Sequence, residues 1–148
     1  MPQAERRAEV TWEGGLQDGS GTLQLISSEA AGPLPVTWAS RVESADGRTS
    51  PEELLAAAHA SCYAMALSAT LGREGHPPER LHIRATVSLG PKEGGGIRVT
   101  TSALEVRGTV PGLDQAGFQS IAEKGEQGCP ISNTLRGNVD ITVTATLE

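Results

Sequence analysis

The chain has 148 residues, 37% of them hydrophobic, 20% charged and only 3% aromatic, with 18 glycines and 9 prolines. That suits one compact domain, or one subunit of an intertwined pair, with an aliphatic and Ala-rich core. A net charge of −6 with scattered basic residues excludes a phosphate-tracking stripe, so no nucleic-acid partner is expected. Met1 to Val10 lack the apolar segment of a signal peptide, and no apolar run reads as long enough to span a bilayer. The expected location is cytoplasmic, with no membrane partner.

In chain order, β-prone runs come first, Val10-Thr11-Trp12 and Thr22 to Ile26, with a Gly-rich turn between them. Pro33 and Pro35 mark a loop or sheet edge before Val36-Thr37-Trp38. A long helix follows. Ser50 reads as its N-cap, Pro51 as its first residue and Glu53 as the far corner of an S-x-x-E capping box. Leu54, Leu55, Ala58, Cys62, Met65, Ala66 and Ala69 recur at helical spacing until Gly72, Gly75 and Pro77-Pro78 stop it.

Leu81, Ile83, Ala85, Val87 and Leu89 alternate with polar residues, and Ile97 to Val106 returns as a partner strand. Its phase shift between Thr101 and Leu104 predicts a bulge. A second helix is expected from about Asp114 to Glu126, with Phe118, Ile121 and Ala122 inward. A short third helix near Ile131 to Leu135 starts at Pro130, and Val139 to Leu147 forms a half-buried terminal strand. The order predicts an α+β fold with antiparallel sheet.

The two cysteines stand 67 positions apart, which excludes a CxxC motif, and the three histidines give no zinc-ligand spacing. Without a secretory signal a permanent structural disulfide is not expected, and the bland reading is two small buried hydrophobes. Cys62 lies about three turns into its helix, beyond the reach of the N-terminal dipole, so an ionised sulfur there needs a cationic or donor partner from the tertiary fold. His59, one turn earlier, either pairs with Cys62 or only satisfies a neighbouring group. Cys129, beside Pro130 at a helix start, is either a reactive thiolate or a buried cap.

The run Ser50-Pro51-Glu52-Glu53-Leu54-Leu55-Ala56-Ala57-Ala58-His59-Ala60-Ser61-Cys62 closely resembles the central helix of the OsmC/Ohr family, and Tyr63 to Ser68 matches its OsmC branch. Thr11 to Gly14, Gly21-Thr22, Ser40 to Glu43, Val110 to Asp114 and Gly128-Cys129-Pro130-Ile131-Ser132 resemble the family in its own order over nearly the whole chain. The resemblance implies a single OsmC-like domain over 1–148, with N-terminal strands over 8–42, a central helix over 50–74, strands over 80–110, a second helix over 113–127 and a terminal strand over 138–148. It also implies an intertwined homodimer whose antiparallel sheets wrap central helices.

By the same resemblance the protein is a thiol-dependent peroxidase for organic hydroperoxides, serving oxidative or osmotic stress defence. Cys62 is then the peroxidatic residue and Cys129 the resolving one. Arg41 stabilises the thiolate and the peroxide, with Arg48 as the alternative, and Glu52 orients the arginine. No cofactor is bound; an external lipoyl-type dithiol is the implied reductant. Helix geometry adds one deduction: Glu52 and Cys62 are separated by a rise of about 15 Å, so a Glu52 serving a Cys62 site must come from the partner subunit. Two other readings are a cysteine hydrolase built on Cys62 and His59, and a ligand-binding stress protein with inert cysteines. The first has no nucleophile-elbow motif to support it, and peroxide consumption by Cys62→Ser against the parent discriminates the second.

Overall fold

A computed structural model describes residues 3–148. The chain divides into two compact units, one ending at Leu54 and one running Leu55–Glu148.

In the N-terminal unit, β1 (Glu9–Glu13) and β2 (Ser20–Gln24) form an antiparallel hairpin, and β3 (Leu34–Val36) adds to the other side of β2. A Cβ on Gly21 would come within 2.9 Å of the Trp12 ring opposite it and 2.8 Å of Val36, so only glycine lets the indole cross the strand there. Pro35 lies on the edge strand, where a missing N–H is tolerated.

The strand region expected over 8–42 needs correction at its end, because residues 38–42 form a short helix, α1 (Trp38–Val42). Thr37 caps it. Its hydroxyl accepts from the Ser40 N–H, and the Ser40 hydroxyl accepts from the Thr37 N–H. This is a reciprocal box with serine in the place usually held by Glu or Gln. Ser40 Oγ also lies 2.9 Å from the carbonyl of Thr49, which ties α1 to the entry of the next helix.

That helix, α2 (Pro51–Arg73), has the expected limits and cap: Glu53 N–H donates to Ser50 Oγ. The box is only half formed, because the Glu53 carboxylate takes the Thr49 hydroxyl instead. By length and composition α2 is long and apolar enough to cross a bilayer, which corrects the reading that no such run exists. Its alanines supply the apolarity. Tyr63, Leu67 and Leu71 are nonetheless wholly buried in protein, as in a core helix.

In the C-terminal unit, β4 (Arg80–Pro91), β5 (Ile97–Thr109) and β6 (Asp140–Leu147) form one sheet with β5 in the middle. The register of β4 and β5 slips where Ser88 faces Thr101 and Leu89 faces Val99, leaving Thr100 as the bulged residue. This is one position before the expected stretch. The slip puts Ser102, Leu104, Val106 and Gly108 on the inner face.

The pairing of β5 with β6 is parallel, not antiparallel as expected. The reason is the connection. Residues 110–139 hold α3 (Gln115–Gln127) and α4 (Pro130–Leu135), a crossover that returns the chain in the same direction. Gln115 and Gln119, one turn apart on α3, pair with the backbone of Ala145, Leu147 and Val143 and so cover the free edge of β6. The core joins Tyr63, Leu67 and Leu71 to Leu104, Val106, Val110, Phe118, Ala122, Cys129 and Ala145.

Candidate active site

Cys62 and Cys129 meet inside the C-terminal unit. Both are free thiols, and their sulfurs lie 3.3 Å apart although α2, two strands and α3 separate them in sequence. Cys62 comes from the middle of α2 and is half-buried; Cys129 is the N-cap of α4 and wholly buried. Pro130 starts α4, and the Ser132 N–H donates to Cys129 Sγ at 3.5 Å, the long contact expected of a sulfur acceptor. Burial pushes the Cys62 thiol above its ordinary range. The Ile131 N–H pulls it back and the neighbouring Cys129 pushes it further up. Among the described residues, no cation offsets that rise.

His59 is wholly buried, and both of its ring nitrogens are taken. Nδ1 lies 2.6 Å from Ser102 Oγ on β5, and Nε2 lies 2.7 Å from Ser132 Oγ on α4. It is therefore a satisfied core histidine and has no nitrogen left for a Cys–His pair. Burial holds it below its ordinary pKa, against the pull of Glu126. Glu126, itself buried, is paired with Arg136 at 2.8 Å, which links the last turn of α3 to the end of α4.

Ser102 and Ser132 were not singled out from the sequence. Ser132 stands in the Gly-Cys-Pro-Ile-Ser run, and Ser102 is a polar residue in phase with the inward Leu104 and Val106. That misplaced polarity is the signal that points to a buried partner.

In the N-terminal unit, Arg41 and Glu52 form a forked ion pair within one chain. Arg41 Nη2 lies 2.8 Å from Glu52 Oε1, and Nε lies 3.1 and 3.2 Å from the two carboxylate oxygens. Glu52 is buried, and the guanidinium carbon sits 6.0 Å from the centroid of the Trp38 ring, one helical turn away on α1. Arg48, the alternative arginine, is exposed and turned to Asp46.

Residues 44–144 match the family model described as OsmC-like protein. The chain is 37% identical to peroxiredoxin OsmC of Escherichia coli K12 over 136 residues, covering 92% of this chain and 93% of that protein. It is 39% identical to the organic hydroperoxide resistance protein of Xanthomonas axonopodis pv. citri over 98 residues, 65% of this chain and 66% of that one. Among solved structures, the organic hydroperoxide resistance protein OhrB of Bacillus subtilis superposes with a TM-score of 0.74 at 26% identity, over 95% of this chain and 98% of that chain. The organic hydroperoxide resistance protein OsmC from Legionella pneumophila gives a TM-score of 0.75 at 23% identity over 99% of both chains, a likeness of fold. With its α+β fold, its Ala-rich helix carrying Cys62 and its helix-capping Cys129, the chain belongs to the OsmC-like protein family.

Proposed function

We propose that this protein is a peroxidase that detoxifies organic hydroperoxides by a two-cysteine cycle. The reading is carried by the 3.3 Å approach of Cys62 Sγ and Cys129 Sγ, and the names of its peroxiredoxin and hydroperoxide-resistance relatives support it. Cys62, the more accessible sulfur, attacks the terminal peroxide oxygen as its thiolate. The O–O bond breaks, the alkoxide takes a proton and leaves as an alcohol, and Cys62 becomes a sulfenic acid. Cys129 then displaces water from that sulfur to form the disulfide. An external dithiol of lipoyl type returns two electrons and two protons.

The raised Cys62 thiol calls for a positive group, and Arg41, held rigid by Glu52 and Trp38, is the group suited to it. Because Arg41 pairs with Glu52 of its own chain, the two move together. Because Glu52 and Cys62 are about 15 Å apart along α2, the pair reaches a Cys62 site only from a partner subunit. The uncovered apolar side of α2, where Met65 is 71% exposed beside Ala64, Ser68 and Ala69, supports a homodimer. Taken up in the cytoplasm, the reaction would serve defence against oxidative or osmotic stress.

The test is consumption of cumene hydroperoxide with dihydrolipoamide as donor, comparing the parent with Cys62→Ser. The variant is expected to lose the dithiol-dependent turnover. Equal turnover in both would refute the proposal.

A further inference from the structure

We infer that His59 and Ser132 are positioning residues for the disulfide step, a second rung beside the sulfur pair that holds α4 in register against α2. The inference deepens the two-cysteine reading and rests on it for its peroxide arm only.

The geometry is a short ladder. On α2, His59 and Cys62 are three residues apart; on α4 and its cap, Ser132 and Cys129 are three residues apart. His59 meets Ser132 at 2.7 Å, and Cys62 meets Cys129 at 3.3 Å. Residues at that spacing share a helix face, so the two contacts are successive rungs between the same two elements. A slip of α4 that parted one pair would part the other.

Three observations make the histidine rung a positioning device instead of incidental packing. First, α4 spans only Pro130–Leu135, too short to hold its own place, so its register must come from side-chain anchors. Second, Ser132 acts twice, its hydroxyl on His59 and its N–H on Cys129 Sγ. The residue that sets the rung therefore also aims the sulfur. Third, Ser102 fixes the far nitrogen of His59 from β5, so the ring cannot swing with α4. A neutral imidazole has one donor and one acceptor nitrogen, which two hydroxyls satisfy in either tautomer. Burial of His59 keeps it in that form.

The test reads the thiol–disulfide equilibrium of the full-length protein against oxidised and reduced dithiothreitol. In that exchange the probe disulfide takes two electrons and two protons from Cys62 and Cys129 and leaves them bonded. Loss of alignment lowers the effective concentration of one thiol at the other. Ser132→Ala should need about a tenfold more oxidising ratio for half-oxidation, and His59→Asn, too short to reach α4, should do the same. Ser132→Thr, which keeps the hydroxyl, should stay within about threefold of the parent.

Gly108→Ala separates positioning from general loosening. Its Cβ would crowd Phe118 at 2.6 Å and Leu81 at 3.2 Å, it leaves both rungs in place, and it should also stay within about threefold, even where its melting temperature falls as far as that of Ser132→Ala. In a single turnover with cumene hydroperoxide, Ser132→Ala should form sulfenic acid at the parental rate and condense about tenfold more slowly. A Ser132→Ala equilibrium equal to the parent's, or a Gly108→Ala effect as large as that of Ser132→Ala, overturns the inference. A parent whose Cys62 ignores the hydroperoxide sinks the peroxidase reading instead, and the equilibrium arm still decides whether the ladder exists.

Discussion

Cys129 caps α4 with the same sulfur that lies 3.3 Å from Cys62, so one atom serves both a helix end and the thiol pair. Cys129→Ser keeps a capping oxygen and removes the resolving sulfur. The variant should fold, react once with hydroperoxide and accumulate Cys62 sulfenic acid. Intact mass after one equivalent of hydroperoxide should show a gain of one oxygen, where the parent shows the loss of two hydrogens. An unmodified variant would contradict this order of events.

Arg41 and Glu52 form a fork that Arg48 does not share. Arg41→Met should lower the second-order rate with hydroperoxide by about 10²-fold or more, as expected for removal of a preorganised charge at the reacting oxygens. Glu52→Gln should lower it less, and Arg48→Ala should stay within about twofold. Because the thiolate reacts and burial raises the Cys62 thiol, the Arg41→Met rate should climb with pH into more alkaline conditions than the parent's. Alkylation of Cys62 against pH measures this directly.

If the arginine fork serves the neighbouring subunit, two dead variants can rescue each other. Cys62→Ser and Arg41→Met chains, co-expressed in equal amounts, should form mixed dimers with one complete site each and recover about a quarter of the parental rate. Recovery no greater than the two variants separately would place the fork and the sulfur in one chain.

His59 is buried with a lowered pKa, so its unfolded form takes up a proton first as the solution is acidified. Its contribution to stability is complete above the ordinary value of 6.5 and is lost as pH falls from there towards the folded value. Urea midpoints measured across roughly pH 5 to 8 should therefore drop on the acid side. His59→Gln should be less stable at neutral pH and show a shallower acid limb.

Gly108 tests the packing of the C-terminal unit without touching either sulfur. A Cβ there would stand 2.6 Å from Phe118 Cζ and 3.2 Å from Leu81 Cδ2, and Phe118 is wholly buried. Gly108→Ala should cost about 1–3 kcal/mol in chemical unfolding, with the sulfenic-acid step unchanged.

Local signals were the legible ones. Ser50, Pro51 and the glycines after Arg73 bounded α2 to within a residue, because caps and breakers act over one turn. The alternation of Leu81 to Leu89 and of Ile141 to Leu147 gave their strands, but alternation is the same for parallel and antiparallel neighbours. Only the length of the crossover through α3 and α4 decides that. At the site, motif resemblance named both cysteines and offered two arginines. The pairing of Glu52 with Arg41, and not with Arg48, depends on α1, whose box uses Ser40 where a Glu or Gln would have been recognised. The two serines around His59 were hidden for a different reason: a buried hydroxyl looks like any surface serine until its partner is known.

The unequal shielding of the two sulfurs also dictates regiochemistry in the reductive half of the proposed cycle. A thiol arriving from solvent meets Cys62 and not the enclosed Cys129, so the mixed species it forms is on the α2 side and Cys129 is the departing sulfur. That leaving atom already has the Ser132 amide beside it, ready to receive its charge as the bond opens. The turn that begins α4 thus also favours one direction of cleavage.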